Sequence, residues 1–448
     1  MRDLWPVAIA VAVRLGVWLA VSPDRLASDE DSYVRAGLTL LSTGQQDLFW
    51  PPGTGWLVAA VAWMFQTTNI RWLRLGWIAL DVACLFAVRG LARRVAPTVA
   101  NGDGSRESRF VTLVTLAYAL YLPAISFSQF VTSEIPALLL TLLALVLLTR
   151  PVQSAPTYVG AGMVTGLLAV TRPSLLPLVV FLPAVTLLRD RTKPAMQRAA
   201  VFIASAAIVI AGVVARNYAT AGELTIAQNS AYNLYIGNRD LYAEDLDLFH
   251  PVATAGQIEF RRQFFAGELT YPTETPQQLQ REAMTWIAAH PGVFARRALG
   301  RLARVFAPKT DVLELVGGER AAGVFSARSL TMLTIANLQW VVALAAGLVG
   351  LAALRRLRPD IGGLFVATLL GSLPLCLIAI SKPRYAFGFE PLLIIGAVAA
   401  FVASERIRAA LTATDRWVLG GCAVFLLWGW AAWVIFAVTS RVALANAS

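Results

Sequence analysis

The chain is 448 residues long, 57% apolar and only 15% charged, with a mean hydropathy of +0.63. A soluble core of that composition would lack the polar surface to cover itself, so a soluble enzyme, a coiled coil and a disordered chain are excluded. A polytopic membrane protein is expected. The 38 basic and 27 acidic side chains leave a formal charge of +11. The basic residues gather beside apolar blocks, which reads as membrane topology and not as a nucleic-acid surface, so no nucleic-acid partner is expected.

Three basic residues are lysine (Lys193, Lys309, Lys382) and the rest are arginine, a bias of GC-rich bacterial genomes. Cys84, Cys376 and Cys422 all fall in apolar blocks, as buried thiols do, so no disulfide framework is expected.

In chain order the apolar blocks are Leu4–Val21, Trp72–Gly90, Phe110–Phe127, Glu134–Thr149, Tyr158–Val170 and Ser174–Leu188. Ala199–Ala215, Leu330–Leu354, Ile361–Ile380, Tyr385–Ala403 and Trp417–Val438 follow. By length they predict an all-α bundle of about eleven transmembrane helices. Leu4–Val21 lacks a small-x-small cleavage site and is interrupted by Arg14, so it reads as a retained first helix. Thr54–Phe65, after Pro51-Pro52-Gly53, is too short to cross and carries Trp56 and Trp63, which suit the headgroup level. With that segment flat on the outer surface, every short basic loop after it falls inside. The N-terminus is then cytoplasmic.

Two outer loops are long, 22–71 and 216–328. The chain thus divides into an N-terminal transmembrane module over 1–215, a large periplasmic loop over 216–328, and C-terminal transmembrane helices over 329–448. Within the large loop, Leu279–Phe306 reads as an interfacial helical stretch broken at Pro291-Gly292. Trp286, Ile287, Val293, Phe294, Leu299 and Leu302 form its apolar side, and Arg296, Arg297, Arg301 and Arg304 face lipid phosphates.

The polar residues around these loops need a reason. Asp29, Glu30 and Asp31 follow Ser28 at the start of a short helix that also carries Tyr33. Ser28 as N-cap with acids in the first turn explains them structurally. A carboxylate general base at the membrane surface, with or without a divalent cation such as Mg or Mn near Asp29 and Glu30, explains them functionally. Glu134 follows Thr132 and Ser133, either of which suits a helix cap, yet its turn lies on the same side as the first loop. Arg172-Pro173, Arg216-Asn217 and Arg384-Tyr385 place cations at the outer leaflet against the positive-inside trend, which points to an anion. The Arg fork matches phosphate, and snorkelling to ordinary headgroups is the plainer alternative. Arg14 and Asp81 read as an ion pair between adjacent spans, and Glu390 as a partner of Arg384 or Lys382. His250 and His290 stand apart, without metal-ligand spacing.

Taken together the pattern resembles the GT-C glycosyltransferases of the ArnT and protein O-mannosyltransferase type (families 39 and 83), which use polyprenyl-phosphate sugars. Asp29-Glu30-x-x-Tyr33 resembles the family's first-loop acidic motif, and Pro51-Pro52-Gly53 the stretch before its juxtamembrane helix. Glu134 stands where the family carries its second-loop acid. Gly166-Leu167 with Thr171-Arg172-Pro173 resembles its Gly/Arg-Pro stretch. Arg216-Asn217-Tyr218 and the segment from Tyr232 to Asn238 are similar to the start of its large loop, and Arg384-Tyr385 with Pro391 to its late Arg-Tyr segment. Two features depart from it: Trp50 precedes Pro51 where ArnT-like enzymes carry a lysine, and no tandem-domain insert is present.

The resemblance implies an inverting transferase at the periplasmic face of the bacterial inner membrane, with an envelope acceptor of unknown kind. Asp29, Glu30 and Glu134 would be its catalytic acids. Arg172, Arg216, Arg384 and Tyr385 would hold the donor phosphate, and Tyr33, Asn217 and Asn238 would line the substrate site. A transporter or flippase of a sugar or anionic lipid is the alternative; inverted repeats and midplane charges would mark it.

Overall fold

The structure, a computed structural model, describes residues 4–21, 29–238, 246–266, 274–316 and 326–447. Among these residues it is entirely helical. The N-terminal part runs through α1 (Trp5–Val21), α2 (Glu30–Thr43), α3 (Pro52–Phe65), α4 (Ile70–Ala100), α5 (Gly104–Ala119), α6 (Leu122–Phe127) and α7 (Glu134–Leu148). Then come α8 (Ala155–Thr171), α9 (Leu178–Arg189) and α10 (Lys193–Ala221). The large loop holds α11 (Asn229–Gly237), α12 (Ala255–Ala266), α13 (Pro276–Ala289) and α14 (Pro291–Val305). The chain ends in α15 (Ala327–Leu357), α16 (Pro359–Gly371), α17 (Pro374–Ile378), α18 (Glu390–Val402), α19 (Ser404–Ala410) and α20 (Ala413–Ala447).

Five helical stretches are long and apolar enough to cross a bilayer: Ile70–Ala100, Lys193–Ala221, Ala327–Leu357, Pro359–Ile378 and Ala413–Ser440. Shorter apolar helices accompany them. These make the chain a multi-pass membrane protein by length and composition. Each predicted block meets helix, with adjustments at prolines. Ile361–Ile380 is divided between α16 and α17 before Pro374, and Ser174–Leu188 begins in a 3-10 turn at Pro173 before α9. Phe110–Phe127 is divided, α6 opening with Pro123 in its first turn. Arg384 and Tyr385 are not in a span: they lie in a 3-10 turn over Pro383–Gly388, and the helix restarts at Glu390 with Pro391 in its first turn.

Small residues let helices approach closely. A Cβ on Gly162 or Gly166 of α8 would lie 2.3 Å from the Phe202 carbonyl oxygen or 2.7 Å from that of Ala206 on α10. Gly53 opens α3 against Thr171, the last residue of α8, where a Cβ would sit 2.2 Å from the hydroxyl oxygen. The Pro-Pro-Gly stretch is thereby fixed beside Arg172.

The buried charges pair. Arg14 and Asp81, both without solvent exposure, form the expected bridge between α1 and α4, and Tyr118 donates to Asp81 at 2.6 Å. Glu390 instead pairs with Lys309, which also donates to the Pro383 carbonyl at 2.7 Å. Arg384 is left to other carboxylates. The break at Pro291 is where the sequence puts it, but the helix beyond is turned over. Arg301 and Arg304 are buried, while Leu299 is exposed. An interface helix in lipid has no need to hide leucine, and Arg301 turns inward to donate to the Gly237, Leu377 and Ile378 carbonyl oxygens. Of the other two, Arg296 pairs with Asp247 at 3.1 Å and Arg297 stacks over Trp286.

Candidate functional site

Helix α2 starts just after Asp29. The Asp29 backbone holds the N-cap position, yet its carboxylate makes no capping hydrogen bond. It accepts instead from Arg384 Nη2. Ser28, the N-cap expected from the sequence, lies outside the described residues. Helix α7 repeats the pattern: Ser133 stands at its N-cap without capping, and its Oγ accepts from Arg172 Nη1 at 2.9 Å. The same nitrogen donates to Glu134 Oε1 at 2.9 Å, and Arg384 Nε lies 3.5 Å from that oxygen. Two side chains suited to satisfying their own helix ends are thus given over to cations from distant segments.

Arg172 is placed by the end of α8, where it is C-cap to that helix and N-cap to the short turn at Pro173. Its guanidinium carbon lies 5.0 Å from the centre of the Tyr385 ring. A small pocket opens here, lined among others by Glu134, Arg172, Arg384 and Tyr385. Two carboxylates and two guanidiniums make the cluster close to neutral. Burial alone would raise the Asp29 carboxyl, but Arg384, Lys382 and Arg172 outweigh it and hold it down at about 2. Burial pushes the Tyr385 phenol up to about 12 against the pull of the two arginines. Tyr33, one turn beyond Asp29, is buried, and its phenol is raised by that burial and then by the Asp29 and Glu134 charges.

The remaining residues singled out in the sequence stand elsewhere. Glu30 receives a two-pronged contact from Arg74, Nε to Oε1 at 2.9 Å and Nη2 to Oε2 at 2.7 Å, and the Val131 N–H donates to Oε1 at 2.8 Å. Both partners are fully buried. Glu30 therefore ties α2 to α4 and to the turn before α7. Both Glu30 oxygens are thus engaged by protein donors, while the Asp29 carboxylate accepts from Arg384. Among the described residues no three His, Cys, Asp or Glu side chains gather as a metal site.

Among the described residues Arg216 shares no hydrogen bond or ion pair with the cluster, and its Nη1 is buried without a hydrogen-bond acceptor. Asn217 clamps the turn after α10 through the carbonyls of Thr225 and Ile226. Asn238 donates to the Leu234 and Ile378 carbonyls and accepts from Arg301, joining α11, α14 and α17. Asn217 and Asn238 thus act as ties within the protein.

Arg74 and Lys309 went unnoticed in the sequence, although each is a cation whose burial calls for a partner. Arg74 stands four residues into the long apolar α4, a signal equal to the one that marked Arg172. Lys309 lies in the loop after α14, with no pattern to mark it.

No family model matches the chain, and no curated protein matches it in sequence. Among solved structures, the oligosaccharyltransferase of Archaeoglobus fulgidus in its apo form is similar over 98% of this chain, with a TM-score of 0.50 and 16% identity. The chain spans 56% of that protein's length. ArnT from Cupriavidus metallidurans bound to undecaprenyl phosphate is 16% identical over 90% of this chain and 78% of its own, with a TM-score of 0.42. At these identities the likeness is one of fold, and the fold is GT-C-like.

Proposed function

We propose that the chain is an inverting GT-C glycosyltransferase that moves a sugar from a polyprenyl-phosphate donor to an envelope acceptor at the periplasmic face of the bacterial inner membrane. The observation that carries this reading is the meeting of Glu134, Arg172 and Arg384 at one small pocket, with Asp29 joined to it through Arg384, from segments separated by up to 355 residues. Likeness of fold to an oligosaccharyltransferase supports it.

Each residue type has work to do in such a transfer. Asp29 takes the proton of the acceptor hydroxyl as its oxygen attacks the anomeric carbon. The bond from that carbon to the phosphate oxygen breaks on the opposite side, and the departing polyprenyl phosphate gains negative charge. Arg172 and Arg384 stabilise that charge, with Tyr385 in reach of the same group. In the structure both guanidiniums are spent on carboxylates. Phosphate entry must therefore draw them away, and Asp29, relieved of its cation, becomes a stronger base as the donor arrives. Glu134 retains a share of Arg172 and keeps it in place. Arg216, near the end of α10, is the third arginine assigned to the donor phosphate in this scheme. With the roughly eleven crossings and the cytoplasmic N-terminus expected from the sequence, this pocket faces the outer side, and no step in this scheme runs through a metal ion.

Purified protein incubated with radiolabelled polyprenyl-phosphate sugar and a membrane extract as acceptor source tests the reading. Sugar transferred or released to water by wild type, and not by Asp29→Asn, is the expected result. Lipid-linked sugar bound and carried across vesicles without cleavage would favour the transporter instead.

A further inference from the structure

A row of aromatic rings leads away from the carboxylate cluster. Tyr33, one turn after Asp29 on α2, has its ring centre 5.0 Å from that of Trp50. Trp50 lies 5.4 Å from Phe49, and Phe49 lies 5.9 Å from Tyr232 on α11. The rings meet at tilted or edge-on angles, so they brace one another and are not stacked into a closed pile. Backbone bonds fix the row: Gln228 N donates to the Leu48 carbonyl at 2.9 Å and Asn229 N to the Phe49 carbonyl at 3.0 Å. Pro51, the N-cap of α3, holds the chain immediately after Trp50.

Trp50 differs from the well-seated tryptophans of this protein. Trp18, Trp56, Trp77, Trp340 and Trp430 each donate their indole N–H to a protein oxygen. Trp50 is half-buried, and among the described residues its N–H meets no acceptor and is not shut away from solvent. A rigidly braced indole with an accessible surface and an unused donor, one side chain removed from the Asp29 cluster, is suited to a ligand that has both an apolar face and hydroxyl groups. A sugar ring has both: its C–H bonds lie against an aromatic face, and its hydroxyls accept from an N–H.

We infer that Trp50, braced by Tyr33 and Phe49, is the wall on which the transferred sugar rests, and that it sets which sugar the site accepts. The inference rests on the transferase reading above, with Asp29 and the arginines handling the reacting atoms while Trp50 grips the group between them.

Binding measurements separate the two ideas, because they need no turnover. The probes are undecaprenyl phosphate alone and undecaprenyl phosphate carrying glucose, mannose or arabinose, titrated onto full-length protein in nanodiscs. Wild type is expected to hold at least one sugar-bearing probe more tightly than the bare lipid. Trp50→Leu should lose roughly tenfold in affinity for that probe while its affinity for bare undecaprenyl phosphate stays within twofold. Trp50→Phe, which preserves most of the packing, should recover part of the loss. Equal loss for bare and sugar-bearing lipid, no loss for either, or no sugar preference in wild type overturns the role of Trp50 and leaves the phosphate site standing. Failure of wild type to bind any of these lipids overturns the transferase reading itself.

Discussion

Arg384 donates a hydrogen bond to Asp29 across 355 residues of sequence, so the first loop and the segment before α18 share one side-chain contact. The partnership sets the resting state of the pocket, because a carboxylate held at about 2 is a weak base until its cation is drawn away. Asp29→Asn keeps the size of the side chain and removes its ability to take a proton. Transfer should fall by roughly a hundred- to ten-thousand-fold, with the protein still folded in detergent and its thermal unfolding midpoint lowered only by the loss of the ion pair with Arg384. Full activity in this variant would remove Asp29 from the chemistry.

The same pair makes a pH prediction. The folded carboxyl of Asp29 is depressed from 3.8 to about 2. Its contribution to stability is therefore complete above pH about 4 and is lost as pH falls from there through about 2. Replacing Arg384 by glutamine takes away the main cation and should flatten that part of the unfolding-midpoint-against-pH curve. Donor affinity should drop as well, since the phosphate loses one of its guanidiniums. An acid limb identical in wild type and Arg384→Gln would show that the pair does not control Asp29.

Glu30 should behave differently from its neighbour. Glu30→Gln breaks a fully buried, two-pronged contact with Arg74 and is expected to cost about 3–5 kcal/mol, chiefly by stranding the guanidinium. The double change Glu30→Leu with Arg74→Met should recover much of that loss and part of the activity. Calorimetry or scanning fluorimetry of the two proteins decides it. A Glu30→Gln protein as stable as wild type but inactive would assign Glu30 to the reaction and not to the fold.

Gly162 bears on Arg172 from a distance. A side chain there meets the Phe202 backbone of α10, and α8 must shift as a rigid rod to admit it. Gly162→Val is expected to destabilise the protein by roughly 1–3 kcal/mol and to raise the donor KM, because α8 ends at Arg172. Gly212 on α10 has nothing near its would-be Cβ, and Gly212→Val serves as the control that should leave the donor KM in place.

How far the sequence reaches can be judged from particular residues. Apolar block length is a local property, so the helices were legible, as was the break at Pro291, whereas the divisions at Pro123, Pro374 and Pro383 were not. Asp29, Glu134, Arg172 and Arg384 were legible too, because a charge at the edge of an apolar run is costly and demands a reason. The partners of these charges were not. Glu390 went to Lys309, Glu30 to Arg74, and Arg301 to the carbonyls around α17. Hydropathy is a sum over neighbours in the chain, and it carries no information about which distant carboxylate a guanidinium will find. That is decided when α2, α7, α8 and the turn before α18 pack, since each buried ion then takes the nearest opposite charge or oxygen that packing brings within reach.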